Sequence, residues 1–284
     1  MKQLIDYIND CINESVLSDI EDTLSVSNDD LAAELITNWI KENWHVDGEL
    51  TVKFEGNTRV VDCSGNVDNP RTGKITNGLF IWGNITGDFI YSVVETETQK
   101  KTKSLLELGL PRNVGGSFIL ANFKKVTTLE GCPLECGDFR IKGFTKLTSL
   151  KGCPKIVKSH FVIAQCNALK GLDYLPEHIG KGIYINWNPN LLSIDGLSAV
   201  TNVVNGDLFL NGNYRLKSLE GCPSIVDGIF SCEKCKALTS LSGFPERVGN
   251  HIYCKHCGTR FTVDQIQAVC CQMRPGYKID AYKK

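Results

Sequence analysis

The sequence has no long hydrophobic run. Across its 284 residues, no apolar stretch approaches the roughly 18 residues that a membrane-spanning helix needs. The opening residues, MKQLIDYINDC, also contain no apolar run of the kind that a secretory signal requires. We therefore expect no membrane partner and no export by the standard secretory route.

Recognisable catalytic motifs are missing as well. The five histidines are scattered along the chain: His45, His160, His178, His251 and His256. There is no HExxH, no GxSxG and no glycine-rich phosphate loop. We expect no enzyme and no cofactor, and the alternative left open is a Cys–His pair that only folding brings together.

Cysteine, by contrast, is plentiful. The chain has 13 cysteines, an odd number, in a sequence far longer than a typical disulfide-stapled domain. With no secretory signal beside them, these cysteines are expected to be reduced thiols of a cytoplasmic protein.

The two signs of charge are unevenly distributed. Residues 1–50 contain twelve acidic and two basic residues, a net charge of −10, while the rest of the chain carries +9. This segregation favours two parts with different roles, although a solvated acidic helix would produce the same pattern.

A repeat of 21 to 24 residues dominates the chain. Its units open at Pro111, Pro133, Pro154, Pro176, Ala199, Pro223 and Pro245. Two apolar positions two residues apart predict a short strand with alternate side chains inward, and later steps of three turn the chain around a coil. Since one unit cannot bury its apolar face alone, we predict stacked coils with parallel strands.

The repeat frame resembles the leucine-rich repeat family over roughly residues 111–265. The pattern LxLxxNxxLxxL is seen at Ile183, Ile185, Asn188, Leu191 and Ile194. The resemblance implies a β-rich α/β fold, a right-handed leucine-rich-repeat-like solenoid with parallel strands. The family's asparagine is present only at Asn188 and Asn213, and its position is otherwise filled by Phe123, Phe144, Cys166, Cys235 and Cys257. For the early units we predict an aromatic spine instead.

Four regions are expected. Residues 1–26 form an acidic amphipathic segment, 27–70 a helix and β-hairpin that cap the solenoid, and 71–261 the solenoid itself. Residues 262–284 would form a short capping helix, opened by the capping box of Thr262 and Gln265, and a frayed basic tail.

The N-terminal segment carries a second resemblance. The string INESVLSDIEDTLSV is similar to a segment in proteins of crAss-like phages of gut Bacteroidales, some of which also have short leucine-rich repeats ending in SLEGCP. This similarity implies a phage protein in the host cytoplasm or the virion, docked through its N-terminus on phage assembly or virion proteins.

One cysteine motif has the spacing of a metal site. Cys232, Cys235, Cys254 and Cys257 form C-x2-C, eighteen residues, C-x2-C, which is compatible with a four-thiolate zinc site. The two pairs are 22 residues apart, one repeat period, so they occupy the same two core columns in neighbouring coils. We therefore favour buried thiols that pack as small hydrophobes without metal, and keep zinc as the alternative.

The candidate binding residues are those between the two inward strand positions. They are Ile119, Arg140, Val162, Tyr184, Phe209, Ser231 and Tyr253, with Phe80 and Ile90 as candidates in earlier coils and Asn186 and Asn211 as flanking residues. Large outward side chains in one row predict a protein-binding concave face, although strands are also simply rich in such residues. A virion component is the first alternative. Nucleic-acid binding is the weakest, because Arg140 and Lys142 are the only bases clustered on this face.

Overall fold

A computed structural model describes residues 28–70, 80–91, 101–273 and 276–282. The acidic segment 1–26 lies outside these ranges. None of the described helices is long and apolar enough to cross a membrane.

The largest sheet in the described residues has eleven strands, one from each coil and one from the N-terminal region. In sheet order they are β1 (Trp44–Asp47), β4 (Asn66–Pro70), β6 (Phe89–Tyr91), β8 (Phe118–Ala121), β10 (Phe139–Lys142), β12 (Phe161–Ala164), β14 (Ile183–Asn186), β16 (Leu208–Phe209), β18 (Phe230–Ser231), β20 (Ile252–Tyr253) and β22 (Ile279–Asp280). We call it the long sheet.

Two further sheets are built from the segments that precede these strands. The first comprises β2 (Leu50–Glu55), β3 (Thr58–Cys63), β5 (Ile81–Ile85), β7 (Asn113–Val114), β9 (Glu135–Cys136), β11 (Ile156–Val157) and β13 (His178–Ile179). The second comprises β15 (Val203–Val204), β17 (Ile225–Val226), β19 (Arg247–Val248) and β21 (Gln272–Met273). Helices are few: α1 (Asn28–Asn43), a 3₁₀ turn (Leu105–Leu108), α2 (Leu197–Val200) and α3 (Val263–Val269).

Successive coils pair their strands in parallel and in register. Phe139 of β10 lies opposite Phe118 of β8 and Phe161 of β12, and the same pattern continues along the sheet. The described chain is therefore a parallel β-solenoid of about nine turns, as the repeat predicted.

The inward columns form one continuous core. Every predicted inward residue is fully buried on the strands from β8 to β20, from Phe118 and Leu120 to Ile252 and Cys254. In the early coils the first column is a phenylalanine stack, with Phe118 and Phe139 ring centroids 6.0 Å apart and nearly parallel. The predicted aromatic spine is also present, since the rings of Phe123 and Phe144 are 5.5 Å apart.

In the middle coils two buried asparagines continue the spine's column. The Asn188 amide oxygen accepts from the backbone N–H of Cys166 at 2.9 Å, and the Asn213 oxygen accepts from the N–H of Asn188 at 3.0 Å. The Asn213 amide nitrogen donates to the carbonyls of Ile185 and Leu210, both at 2.7 Å. These bonds satisfy backbone groups that the coil would otherwise bury unpaired.

The predicted helix and hairpin are both present near the N-terminus. Helix α1 buries Ala32, Ile36 and Ile40 in the same core as the coils, and β2 and β3 pair antiparallel across the Gly56–Asn57 turn. Strands β1 and β4 were not predicted. Parallel pairing begins already with β3 and β4, so the solenoid starts before residue 71.

The C-terminal end differs more from expectation. The capping box of Thr262 and Gln265 opens α3 as predicted, and Ile266 is buried. The described part of the tail, residues 276–282, is ordered against the last coil, however, because β22 pairs in parallel with β20 and the Asp280 carboxylate forms an ion pair with Lys255. Ile279 is apolar and aligned with the inward Ile252, so this last segment continues the sheet and adds to the core.

Candidate binding surface

The predicted outward residues form one row on the outer face of the long sheet. The strand register aligns Ile119, Arg140, Val162, Tyr184, Phe209, Ser231 and Tyr253 in this order. All are half-buried except Ser231, which is buried. Alternation along each strand therefore separates this row from the core columns on either side of it.

One candidate of the predicted row was wrong. Phe80 is buried in the core, 2% exposed, with its ring centroid 5.3 Å from that of Trp82. The small Ser231 lies between Phe209 and Tyr253, as the predicted row has it, and separates their large side chains. Ile90, in contrast, is half-buried and aligned with Ile119.

Tyr184 and Phe209 are in direct aromatic contact within the row. Their ring centroids are 5.2 Å apart in an edge-to-face arrangement, and the His160 ring centroid lies 5.9 Å from that of Tyr184. The Tyr184 hydroxyl donates to the Asp207 carboxylate at 3.2 Å. Partial burial and the Asp207 charge raise the pKa of Tyr184 to about 12, so the ring stays neutral.

Asn186 and Asn211 continue this surface along the strands. The Asn186 oxygen accepts from the N–H of Asn211 at 2.8 Å, and the Asn211 oxygen accepts from the N–H of Glu233 at 2.8 Å. Each oxygen thus accepts a backbone hydrogen bond, and each side chain has an amide NH2 group that can donate to a partner.

Arg140 is held by a neighbouring carboxylate. Its guanidinium donates to Asp138 at 2.7 Å, and Asp138 also accepts from the backbone N–H of His160 at 2.9 Å. Burial raises the pKa of Asp138, but the hydrogen bonds from Arg140 and His160 outweigh it and lower that pKa to about 2. Asp138 and Arg140 are therefore a fixed ion pair on this face, with His160 beside them.

The same cluster brings a serine, a histidine and an aspartate together. Ser159 Oγ and Asp138 Oδ1 both lie 3.0 Å from His160 Nδ1. A catalytic triad needs the imidazole to bridge the other two groups through its two different nitrogens. Here both contacts converge on one nitrogen, so His160 cannot relay a proton between Ser159 and Asp138.

Two exposed aromatic residues next to the row escaped the sequence analysis. Trp187 is 40% exposed and Tyr214 is 36% exposed, with ring centroids 6.2 Å apart. Lys234 Nζ lies 5.3 Å from the Trp187 ring centroid, and Lys236 Nζ lies 4.8 Å from that of Tyr214. The sequence could have indicated both residues, because each directly neighbours a buried asparagine of the repeat frame.

Gly212 explains how Trp187 lies flat on the next coil. A Cβ atom at Gly212 would clash with the Trp187 ring, and the glycine's φ of 71° also disfavours other residues. The Trp187 side chain thus covers the Gly212 backbone and keeps part of its ring in solvent. We call Tyr184, Phe209, Trp187 and Tyr214 the aromatic patch.

The four predicted cysteines do not all meet. The sulfurs of Cys232, Cys254 and Cys257 lie within 4.8 Å of one another, and those of Cys232 and Cys254 are 3.3 Å apart. Hydrogen bonds from the two neighbouring thiols lower the pKa of Cys257, while these contacts and burial raise that of Cys232. Cys235 instead donates to the carbonyl of Leu210 at 3.1 Å.

A groove lies outside the long sheet, at two neighbouring turns that each have the sequence Gly-Cys-Pro, 131–133 and 152–154. This groove of about 400 Å³ is lined by residues of neighbouring corners, including Leu134 and Tyr174. Leu134 is 63% exposed and Tyr174 is 64% exposed. This groove is an alternative, partly apolar binding surface, and a substitution in it serves as a control for substitutions in the aromatic patch.

Comparisons of the chain with protein-family models, curated proteins and solved structures return no match.

Proposed function

We propose that this chain is a non-enzymatic, protein-binding solenoid that uses the outer face of its long sheet. The observation that carries the proposal is the aromatic patch, in which four large rings from two neighbouring coils remain partly exposed. Exposed aromatic side chains that are held in place by neighbours are typical anchors of protein interfaces.

The polar groups around the patch indicate the chemistry of the partner. The amides of Asn186 and Asn211 offer donors, and Lys234 and Lys236 offer positive charge beside the rings. We propose a protein segment that combines apolar side chains with carboxylates. A nucleic acid fits less well, because its unbroken row of phosphates would also meet the carboxylates of Asp138 and Asp207 on this face, whereas a protein segment can confine its carboxylates to the side of Lys234 and Lys236.

The leucine-rich-repeat type of the coils is part of the proposal. Its support is the frame around Asn188 and Asn213, whose buried amides bind backbone groups of adjacent coils. The absence of catalysis is also proposed, and it is supported by the single-nitrogen geometry of His160.

A virion component remains the second candidate. It is favoured by the N-terminal string that is similar to a crAss-like phage segment, which lies outside the described residues. Mass spectrometry of purified phage particles tests it, since a packaged protein must be recovered with the particles after nuclease treatment and washing.

The binding proposal is tested by quantitative capture from nuclease-treated host lysate. Tyr184→Ser combined with Phe209→Ser removes the central rings and should weaken binding of a specific protein by at least about thirtyfold, because losing one interface hot spot costs about 2 kcal/mol or more. Leu134→Ser is the matched control, because it removes an exposed apolar side chain from the corner groove instead.

Two results would contradict the proposal. Unchanged capture by the folded double variant would show that the strand face does not bind the partner. Loss of the partner in the Leu134→Ser variant alone would assign binding to the corner groove. Because carboxylates are expected on the partner, capture by the wild-type protein should also weaken as the salt concentration rises.

A further inference from the structure

Three thiols from two neighbouring coils converge at the C-terminal end of the core. We propose that Cys232, Cys254 and Cys257 form a three-thiolate site for one soft, closed-shell metal ion, Cu(I). This assignment reverses the interpretation favoured from sequence, in which these thiols only pack as small hydrophobes. It is independent of the proposed binding face.

The sulfur positions are close to those that a bound ion requires. A metal–sulfur bond of about 2.3 Å in a trigonal plane places the sulfurs about 4.0 Å apart. The three sulfurs are within 4.8 Å of one another, and the Cys232–Cys254 pair is at 3.3 Å. Shifts of less than about 1 Å, within the reach of side-chain torsions, would therefore complete the site.

The convergence depends on which way Cys257 points. Cys232 and Cys254 follow the aligned pair Ser231 and Tyr253 in the same inward column, so their proximity follows from strand pairing. Cys257 belongs to the same column as Cys235, and its thiol donates to the carbonyl of Cys232 at 3.2 Å. This direction brings a third sulfur to the first two, because the inward column beside Cys257 holds the thiols of Cys232 and Cys254.

The direction of the Cys235 thiol distinguishes this three-thiolate site from a four-thiolate zinc site. Its thiol donates to the Leu210 carbonyl at 3.1 Å, the same contact that Cys257 makes one coil later with Cys232. Cys235 is thus directed toward the preceding coil and lies outside the group of three sulfurs. Structural zinc sites take four ligands, whereas soft thiolate donors with three positions suit Cu(I).

The surroundings suit a soft ion that is loaded from one side. Cys232 and Cys254 are fully buried, while Cys257 is half-buried and provides the access to solvent. Each of the three thiols releases its proton to solvent as its sulfur binds, so three protons leave the site when one Cu(I) ion enters, and no redox step is involved.

Anaerobic titration of the reduced full chain with Cu(I), against a chromogenic Cu(I) chelator, tests the site. We expect one Cu(I) per chain. Cys257→Ser should weaken binding by at least about hundredfold, because even outer-shell changes cost up to this much. Cys235→Ser is the matched control from the same column one coil earlier. The Cu(I) affinity of this variant should stay within about threefold of wild type, which is well below the cost of an outer-shell change.

Circular dichroism distinguishes a lost ligand from a lost fold. The half-buried Cys257 is the mildest of the three sites to change, and Cys254→Ser provides a second variant if Cys257→Ser unfolds. Failure of the wild-type chain to bind Cu(I) would overturn the proposal. A parallel titration with ZnCl2 that gives one zinc per chain, lost in Cys235→Ser, would replace it with the four-thiolate site.

Discussion

The coils around β10 and those around β18 use the same columns with different chemistry. Near β10 the first inward column is a stack of phenyl rings, and the outer row holds Ile119, Arg140 and Val162. Near β18 two inward positions are thiols, and the preceding coils expose aromatic rings. The period determines the shape of each coil, while the residues in its columns determine whether that coil mainly stabilises the core or presents a site.

Loss of a stacked phenyl ring is expected to have the largest effect on stability. Phe139→Ala removes a fully buried ring that lies between Phe118 and Phe161, and should lower the free energy of unfolding by about 3–5 kcal/mol. Cys235→Ala in the late coils should cost only about 1 kcal/mol, because it removes a single small group. Denaturant titration measures both, and equal losses would contradict the contrast between the two regions.

The second-largest loss of stability is expected when a buried asparagine of the core, Asn188 or Asn213, is replaced. Asn213→Ala would leave the carbonyls of Ile185 and Leu210 and the N–H of Asn188 without their side-chain partner, at a cost of about 2–3 kcal/mol. Asn190→Ala is the control, because its bond to the Asn167 carbonyl is exposed, and its cost should be under about 0.5 kcal/mol. If chemical denaturation gives Asn213→Ala and Asn190→Ala the same free energy of unfolding, the buried asparagines do not stabilise the core.

The smallest expected effect is electrostatic. The Asp138 pKa is lowered to about 2 in the folded chain, below its ordinary value near 3.9, so its stabilisation is present above about pH 4 and is lost as the pH falls toward 2. Asp138→Asn should therefore cost about 1 kcal/mol at neutral pH and progressively less below pH 4, since partial exposure screens the charge. The exposed Asp173→Asn serves as control. A constant difference across this pH range would contradict the assignment.

The strand columns, the hairpin and the capping box were predictable because each is a local pattern that repetition or spacing makes visible. Strand β22 was not, because Pro275 and Gly276 interrupt the frame and the interval between β20 and β22 exceeds one period. Phe80 appears at an outward position of a weak early frame, yet helix α1 supplies Trp39 to cover it.

The candidate sites were harder to derive, since exposure and direction depend on neighbouring coils. Trp187 is a surface ring because Gly212 in the next coil leaves room for it. The cysteine spacing suggested four equal ligands, but the side-chain direction of Cys235 toward Leu210 divides the motif into three sulfurs and one.

The central claim, that inward residues carry the fold and outward residues carry the binding, is tested most directly on two adjacent residues of one coil. Leu210→Ala should lower the free energy of unfolding by about 2–5 kcal/mol but leave partner capture intact under conditions where the variant is folded. Phe209→Ser should change stability by less than about 1 kcal/mol and strongly reduce capture. The opposite pattern, with Phe209→Ser unfolding the chain or Leu210→Ala abolishing capture while folded, would contradict the account.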